Sequence, residues 1–475
     1  MKKTTCKLLT MLLALFLLVP TFASCAALSM SFADDAERPW TLYEGVMENM
    51  EELENATLTT NLTLDVYVSR QHIATKSSSV ERIDIDGDEL RHHQETYVKI
   101  INGAMITESK TISGFQDGAM YYTSDQDTIS GNTTQLQAPI SVEAYTAYNN
   151  EYRSANGFDL HFTAKDCDSC VCEENEDGKW VGTYTDFSES YIERVLDDLA
   201  GVEIIFAEDY AVADIVITIT ADGSLNPEYI DVSFEFKSVD SSASTKVPVF
   251  SFSMEITNVD DTDIERIDLS DYQTVDDLCF ITQVQTMAAQ FTTQDAGKFA
   301  LTTVTSLELG EKSQKEDQRF SLSFSDKETG YFYEIGTSVD DISVRVVYSD
   351  EELNTYYDRE SKPRKTEKAT DAVARKTVYG LTVPSDFQPG TVTDVEKKVT
   401  DGTVVYTVKT NAKETEKGMK QILGTQARNL EIVETYTFYV KDGKLQKYQY
   451  VASCTFAQGN DKGTYTLTII GAYSQ

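Results

Sequence analysis

The sequence predicts an α+β fold of two tandem domains, in which helices lie outside a continuous antiparallel β-sheet. Most of the chain alternates apolar and polar residues in segments separated by Asp-Gly or Asn-Gly turns, a pattern typical of antiparallel strands. In addition, a helical pattern set between two Asp-Gly turns occurs twice at a nearly constant separation. This repetition indicates a tandem duplication.

The two copies of this helix have similar boundaries. One helix is predicted over Asp186–Ala200 and the other from Asn411 onward, because Asp and Asn are favoured N-caps. Gly201 and Gly424 are expected to end these helices. The flanking turns are centred on Asp177-Gly178, Asp222-Gly223, Asp401-Gly402 and Asp442-Gly443.

The first domain is predicted over 40–272. It begins with a helix whose apolar stripe includes Leu42, Met47 and Met50. A short helix around Tyr145 then separates two groups of strands. The main strands are expected at 56–66, Val80–Ile85, Glu95–Ile101, Met105–Ile112, Met120–Thr123, Asp214–Thr220, Tyr229–Phe236 and Val249–Thr257.

The second domain is predicted over 273–475, because the preceding segment Asn258–Tyr272 is acidic and poor in periodicity. Two domains also fit the chain length of 475 residues, which is long for one core. The domain begins with a helix on which Leu278, Ile281 and Val284 share a face. Its strands are expected at Phe299–Leu309, Arg319–Phe324, Gly330–Ile335, Ser343–Tyr348, Glu431–Val440, Gln446–Phe456 and Gly463–Tyr473.

The N-terminus has the features of an export signal. A basic start precedes the apolar run Leu8–Val19, which is short for a membrane span. The sequence Phe22-Ala23-Ser24-Cys25 resembles a bacterial lipobox, in which the cysteine is lipidated and becomes the new N-terminus. The resemblance implies a signal peptide over 1–24, a tether over 25–39, and a lipid on Cys25 that holds the chain at the outer face of the cell membrane.

Ordinary signal cleavage is the alternative at the N-terminus. Ala26 and Ala33 are each preceded by a small residue two positions earlier, as a cleavage site requires. Cleavage at either position would remove Cys25 and release a secreted protein.

The charge of the chain narrows the classes of partner. The sequence has 41 Lys and Arg against 78 Asp and Glu, which gives a formal net charge of −37 at pH 7. Nucleic acid is disfavoured as a partner, because phosphates require a basic surface. Docking on anionic lipid headgroups is disfavoured for the same reason. The self-repelling surface leads us to expect a monomer.

The order of elements in each half, together with Cys25, resembles the bacterial lipoprotein-carrier fold of LolA-type carriers and LppX/LprG-type lipid-binding lipoproteins. In that fold a curved antiparallel sheet forms an unclosed half-barrel, and helices packed on its concave face leave an apolar cavity. The resemblance covers about 40–272 and 273–475. It implies two half-barrels that bind an apolar or lipid-like ligand, but it assigns no ligand contact to a numbered residue.

Three cysteines and a histidine form the most compact group of candidate metal ligands. Cys167, Cys170 and Cys172 follow His161, and the spacing Cys-x-x-Cys-x-Cys suits thiolate coordination. A disulfide among the three cysteines and unpaired thiols are the alternatives. The corresponding hairpin of the second half, Thr391–Val399, contains no cysteine. The architecture therefore does not require a metal, and we expect neither a metal nor another cofactor.

The sequence shows no recognisable catalytic constellation. His92 and His93 are adjacent in a polar strand, and His72 lies in a turn-rich segment. No Ser or Cys occupies a nucleophile elbow, and the chain has no Gly-rich phosphate loop. We therefore expect a protein without catalytic activity.

The expected function is that of an exported, lipid-anchored surface protein that binds an apolar or lipid-like ligand in a half-barrel cavity. Helices that cover the whole apolar face of each sheet would instead give a solid core. The alternative function is therefore an interaction or spacer module of the cell envelope, without a small-molecule ligand.

Overall fold

A computed structural model describes residues 37–474 except 52, 69–70, 87–88, 127–131, 157–160, 200–209, 239–245, 293, 328–329, 340–341, 351, 358–359, 369–370, 383, 385–386, 388, 425 and 460. The chain divides into two compact units, 1–272 and 273–475. Each unit is built around one large antiparallel sheet. In the described part of the chain, no helix is long and apolar enough to cross a membrane.

The first unit contains the sheet strands β1 to β11. These are β1 (Asn55–Val68), β2 (Gln71–Asp86), β3 (Glu89–Asn102), β4 (Met105–Gln116), β5 (Ala119–Gln126), β6 (Asn132–Pro139), β7 (Cys167–Glu174), β8 (Trp180–Phe187), β9 (Tyr210–Ala221), β10 (Pro227–Ser238) and β11 (Val249–Thr257). The helices are α1 (Arg38–Glu51), α2 (Val142–Asn156) and α3 (Glu189–Leu199). The strand order is β6-β5-β4-β3-β2-β1-β11-β10-β9-β8-β7, so β1 joins two meanders.

The second unit repeats this order. It begins with the two-residue strand β12 (Gln273–Thr274), which is not part of its sheet. The sheet strands are β13 (Ala296–Leu309), β14 (Lys312–Lys327), β15 (Gly330–Val339), β16 (Ile342–Ser349), β17 (Glu352–Tyr357), β18 (Lys365–Lys368), β19 (Val392–Thr400), β20 (Thr403–Thr410), β21 (Arg428–Lys441), β22 (Lys444–Gln458) and β23 (Asp461–Ser474). Its helices are α4 (Cys279–Thr292), α5 (Asp371–Thr382) and α6 (Lys413–Leu423), with a short 3₁₀ turn at Pro389–Thr391. The order β18-β17-β16-β15-β14-β13-β23-β22-β21-β20-β19 matches that of the first sheet, as a duplication predicts.

The fold class is richer in strand than predicted. Both sheets are antiparallel and unclosed, and strands hold most of the described residues, whereas the helices are few. The α+β prediction gave the helices too much weight, because long strands such as β14 and β22 extend well beyond their apolar segments. The polar ends of these strands are held by backbone hydrogen bonding to neighbouring strands, which periodicity alone does not reveal.

Two of the four turns that mark the repeat are tight Asp-Gly hairpins. Asp401 and Asp442 have φ near 50°, and the glycines that follow them have φ of 75° and 71°. This left-handed pair of residues is the geometry of a two-residue type I′ turn. The first-unit turns differ. Gly178 (φ 74°) lies in a longer loop, and after Asp222 the left-handed residue is Leu225.

The predicted N-caps of the repeated helices are wrong. Helix α3 begins at Glu189, and Ser188 accepts the Tyr191 amide at 3.3 Å. Asp186 lies before the helix with φ 58°. Helix α6 is preceded by Ala412, which makes no side-chain cap, although Gly424 ends this helix as expected.

Each core forms where helices pack on a sheet. In the first unit α1 packs against β7–β10, and Trp40, Tyr43, Phe162 and Tyr184 meet there with ring centroids 4.4–6.3 Å apart. In the second unit α4 packs against α5 and β22, and α5 packs against β15. Phe291 of α4 contacts the Phe324 ring edge-on. These contacts show that helices pack against both sheets. That the helices lie on the concave face of each sheet stays a prediction.

We expect Asp214→Ala to destabilise the first unit. The Asp214 carboxylate accepts the backbone amides of Asp186 at 2.7 Å and Phe187 at 2.9 Å, which fixes the left-handed turn into α3. Leaving these amides without a partner should cost about 1–3 kcal/mol. Urea unfolding followed by tryptophan fluorescence measures this loss specifically, because Trp40 and Trp180 are the two tryptophans of the chain and both lie in the first unit.

The matched control for this measurement is Asp177→Ala. Asp177 is exposed on the β7–β8 loop, and its removal should change the free energy of unfolding by less than about 0.5 kcal/mol. Equal effects of the two substitutions would contradict the structural role given to Asp214.

Candidate functional site

A band of short polar side chains crosses the first sheet on the face that carries the hydrophobic core. We call this the core face, and it bears the buried residues Leu58, Ile217 and Ile230. Thr60 lies two residues after Leu58 on β1 and therefore shares its face. The register places a hydroxyl residue in line with Thr60 on each strand from β2 to β6. These residues form the hydroxyl row: Thr60, Ser79, Thr96, Thr111, Ser124 and Thr134.

A second polar row lies beside the hydroxyl row on the core face. It consists of Glu81, Gln94, Ser113 and Tyr122, which are aligned in register on β2 to β5. Hydrogen bonds join the two rows, because Gln94 Nε2 donates to Ser79 Oγ at 3.1 Å. The hydroxyls of Ser79 and Thr96 are 3.0 Å apart. The two rows are therefore one connected polar band.

Much of this band is shielded from solvent. Ser79, Ser124 and Thr134 are only 8%, 3% and 6% exposed. Short hydroxyl side chains add little to apolar packing, and burying them is unfavourable unless they form hydrogen bonds. Polar side chains in a band where the fold usually places apolar ones conflict with the packing of a core. Such a conflict is typical of a functional site.

The opposite face of the same strands has a different chemistry. Lys99 Nζ lies 2.7 Å from Glu108, and Lys110 Nζ lies 2.8 Å from Glu95. All four side chains are at least about one third exposed. This outer face is a solvated, charged surface, whereas the core face presents mainly uncharged hydroxyl and amide groups.

His92 lies at the edge of the polar band, in an otherwise apolar row with Ile83 and Phe115. Its side chain is buried between two partners. Nε2 is 2.7 Å from Glu81 Oε1, and Nδ1 is 2.5 Å from the hydroxyl of Tyr145 on α2. The Tyr145 ring also stacks on Phe115 with centroids 4.7 Å apart. His92 thus connects the sheet to helix α2.

The partners of His92 indicate its protonation state. A carboxylate only accepts, so Nε2 carries the hydrogen toward Glu81, and Nδ1 accepts the Tyr145 hydroxyl. Burial lowers the pKa of His92 from 6.5 to about 4, because the charged ring would lose its hydration. His92 is therefore neutral at pH 7.

His93 points to the outer face. Its Nδ1 is 2.9 Å from the hydroxyl of Tyr121, which also donates to the His92 carbonyl at 3.1 Å. Tyr121 reaches both groups by crossing Gly114, where a Cβ atom would lie 2.3 Å from the tyrosine oxygen. Glycine is therefore required at this position. Burial lowers the pKa of His93 despite its hydrogen bond to Glu95.

The same region of the second sheet is apolar. On β13 to β16 the register aligns Phe299, Leu322, Ile335 and Val346. A parallel row contains Phe324, Tyr333 and Tyr348, each 3% exposed or less. Ala374 and Val378 of α5 are buried in this unit as well. The two units thus share a topology but differ in the lining of this face.

The predicted cysteine group does not form a metal centre in the described residues, where no three His, Cys, Asp or Glu side chains are placed to hold an ion. Cys167, Cys170 and Cys172 are not disulfide-bonded. Burial raises the pKa of both Cys167 and Cys172 to about 11. His161 instead lies 3.3 Å from the Tyr43 hydroxyl. The three thiols pack against the core as small apolar groups.

The predicted lipidation site, Cys25, lies outside the described residues. Its assignment stays a prediction from the sequence. The sequence alone does not reveal the polar band, because its members come from separate strands and are brought together only by the register of strand pairing. The Thr-rich pattern of β1 was the one local signal that pointed to it.

Comparison with known proteins gives no family. No family model matches the chain, and no curated protein matches it. Solved structures with some likeness include a putative AttH from Nitrosomonas europaea, with 9% identity, coverage of 87% of this chain and 92% of that chain, and a TM-score of 0.14. A protein of unknown function of the DUF3598 family from Nostoc punctiforme has 8% identity, coverage of 91% and 98%, and a TM-score of 0.12.

A third solved structure is a double mutant of transferrin binding protein B from Haemophilus parasuis. It has 8% identity, coverage of 88% of this chain and 75% of that chain, and a TM-score of 0.13. TM-scores this low carry no argument about fold or function, and the resemblance to lipoprotein carriers gains no support from them.

We expect the first unit to lose stability in mild acid through His92. Between pH 6.5 and about 4, the unfolded chain binds a proton at His92 that the folded unit does not bind. The free energy of unfolding therefore falls as the pH falls, by about 2 kcal/mol between pH 7 and pH 5 from this group alone. Urea unfolding by tryptophan fluorescence at several pH values measures it.

His92→Gln is the control that isolates this contribution, because many carboxylates also titrate in acid. The variant should be less stable than the wild type at pH 7, and the difference should shrink by about 2 kcal/mol by pH 5. A difference that stays constant over this pH range would show that His92 is not buried in its neutral form.

Proposed function

We propose that this chain is an exported, lipid-anchored binding protein without catalytic activity. In this proposal the first unit binds a polar ligand on its core face, and the second unit is a structural module with a filled core. The observation that carries the proposal is the hydroxyl row of the first sheet, because it places shielded hydrogen-bonding groups where the fold would otherwise place apolar ones.

The polar band changes the class of ligand from the one predicted by sequence. An acyl chain lying on Ser79, Thr96 and Gln94 would offer no hydrogen bond to the donor and acceptor positions that these groups do not use for one another. Each such position left unpaired would cost on the order of 1–3 kcal/mol. A ligand with its own donors and acceptors avoids this cost. The proposal therefore replaces the apolar ligand by a polar one in the first unit.

The second unit supports the structural role. Phe299, Leu322, Phe324 and Tyr348 are buried on the corresponding face, together with Val378 of α5. A face filled by its own side chains leaves the ligand role to the other copy. We retain the half-barrel arrangement for both units, and the packing of α1 against β7–β10 supports it in the first.

The absence of catalysis is part of the proposal. Both ring nitrogens of His92 are engaged, by Glu81 and by Tyr145, and its depressed pKa makes it a weak base at neutral pH. The three thiols near α1 have raised pKa values, so they are poor nucleophiles.

We expect a polar ligand to stabilise the first unit selectively. Thermal unfolding of the full chain would be followed by tryptophan fluorescence, which reports the first unit, against a panel of neutral oligosaccharides, polyols, amino acids, nucleosides and fatty acids. A polar compound at 100 times its Kd should add about 2.7 kcal/mol to the stability of the first unit.

Hydrogen exchange of β13–β16 peptides is the internal control and should stay unchanged. Stabilisation by fatty acids instead of polar compounds would support the apolar ligand. No effect of any compound on the first unit would overturn the proposed binding role.

The lipid anchor requires its own test. We expect the Cys25→Ser variant, expressed in a bacterium with lipoprotein processing, to leave the membrane fraction, because the proposed attachment is the lipid on this cysteine. Cys6→Ser, within the predicted signal peptide, is the matched control and should not alter partitioning. A Cys25→Ser protein that stayed with the membrane would contradict the anchor.

A further inference from the structure

We infer that the turn between β3 and β4 of the first unit inserts into the surface of a phospholipid bilayer. Residues 100–106, which are this turn and the strand ends beside it, form what we call the apolar tip. This contact goes beyond the proposed lipid on Cys25, because a folded part of the first unit makes it.

The apolar tip holds large apolar side chains in water. Ile100, Met105 and Ile106 are each between 44% and 61% exposed, and Tyr97 is exposed just behind them. A single exposed apolar side chain needs no explanation, whereas a contiguous group marks contact with a membrane or a partner.

The tip is apolar on both faces of the sheet. Because side chains alternate along a strand, Ile100 and Met105 share the core face with the hydroxyl row. Ile101 and Ile106 lie opposite each other on the outer face. A protein that docked on one face would leave the other apolar face in water, whereas lipid surrounds a tip on all sides. The two-sided arrangement therefore favours a bilayer.

Charged side chains begin directly behind the tip. Lys99 lies opposite Glu108, with 2.7 Å between their charged atoms, and Lys76 lies opposite Lys99 on β2. Residues 97–107 contain Lys99 and no Asp or Glu, although the chain has 78 acidic residues. Cationic groups behind an apolar segment fit the boundary between acyl chains and phosphate headgroups.

The charge of the whole chain limits the contact to this tip. A formal net charge of −37 opposes the approach of a second copy. It also opposes the approach of the remaining surface to anionic headgroups. The acid-free tip is therefore the part of this sheet edge that can enter a bilayer, and a dimer formed through two tips is disfavoured.

The backbone of the tip suits an apolar environment. A bilayer interior offers no hydrogen bonds, so unpaired backbone groups are unfavourable there. The tip lies inside the sheet, where Asn102 is paired with Ile73 on β2 and with Met105 on β4. The Gly103 amide donates to the His72 carbonyl at 2.7 Å. The neighbouring strands thus satisfy backbone groups that a hairpin at the edge of a sheet would leave open.

The corresponding turn of the second unit has the opposite character. Strands β15 and β16 take the places of β3 and β4 in the repeated strand order. The two residues between them in the sequence are Asp340 and Asp341. Carboxylates oppose insertion into a bilayer. The shared topology therefore does not require an apolar tip, which supports a specific role for it in the first unit.

A tryptophan placed at the tip tests this contact. The full Ile106→Trp chain is purified from the membrane fraction and reconstituted on vesicles of phosphatidylcholine and phosphatidylglycerol, with or without bromine on the acyl chains. Bromine quenches tryptophan emission only at short range. Val399→Trp is the matched control, because Val399 is also exposed and lies beside a hairpin turn, that of Asp401-Gly402. The wild-type chain gives the signal of its own two tryptophans.

We expect brominated acyl chains to reduce the emission added by Ile106→Trp roughly twofold, because an interfacial segment lies about 5–10 Å into the boundary between headgroups and acyl chains. The emission added by Val399→Trp should not change. Adding Met105→Asp to Ile106→Trp should remove most of the quenching, because a carboxylate is unfavourable in a bilayer. Adding Met105→Leu should preserve it.

Equal quenching of Ile106→Trp and Val399→Trp, or no quenching of either, would overturn the inference. A blue shift of the Ile106→Trp emission without quenching by bromine would also overturn it, because a protein surface would then cover the tip. Three exposed apolar side chains are too few to keep the chain in the membrane fraction without a lipid. Fractionation of Cys25→Ser therefore tests the anchor, and quenching tests the tip.

Discussion

The structure depends on the pairing of strand β1. This strand is hydrogen-bonded to β2 on one side, where Leu58 lies opposite Glu81, and to β11 on the other side, where Leu58 lies opposite Ile256. It therefore joins the N-terminal and C-terminal meanders into one sheet and fixes the register of both. Because side chains alternate along a strand, this register also decides which residues share a face with the core.

The polar band is a consequence of that register. Leu58 and Thr60 are two residues apart on one face, so the transition from apolar core to hydroxyl row takes place within a single strand. On one side of β1 the row of Thr60 continues into Met254 and Ile230, which are core residues. On the other side it continues into Ser79 and Thr96. The sheet thus has one half that packs against α1 and one half that is lined for hydrogen bonding.

Because the second sheet has the same strand order, it shows whether the polar half of the first sheet is a requirement of the topology. Two sheets with the same strand order could have kept the same lining, yet the second has Leu322 and Ile335 at the positions where the first has Glu81 and Gln94. The buried Glu434 of the second unit shows the other use of polar groups in this fold. It accepts hydrogen bonds from Thr410, Thr415 and Tyr450, which tie α6 to the sheet. That carboxylate is satisfied within the chain and serves the structure.

The elements that were predictable from sequence are those fixed by local geometry. Strand alternation and the Asp401-Gly402 and Asp442-Gly443 turns follow from local backbone preferences, as does the end of α6 at Gly424. Asp186 failed as a cap because Asp214, on a neighbouring strand, holds its backbone in a left-handed conformation. The site was not predictable either, because it too depends on contacts between residues on different strands.

The partners of His92 show why the site needs tertiary structure. They lie 11 and 53 residues away along the chain, and the hydroxyl row draws one residue from each of six strands. The partners of His92 and the hydroxyl row are both brought together by pairing between strands that are far apart in sequence. No short stretch of the sequence reveals this pairing.

The central claim is that the first unit binds a polar ligand on the core face of β1–β6. Hydrogen–deuterium exchange mass spectrometry of the full chain, with and without a saturating amount of the polar compound that most stabilises the first unit, tests it most directly. We expect slower exchange in peptides from β2 to β4 and from α2, with no change in β13 to β16. Protection confined to the second unit, or no protection anywhere, would contradict it.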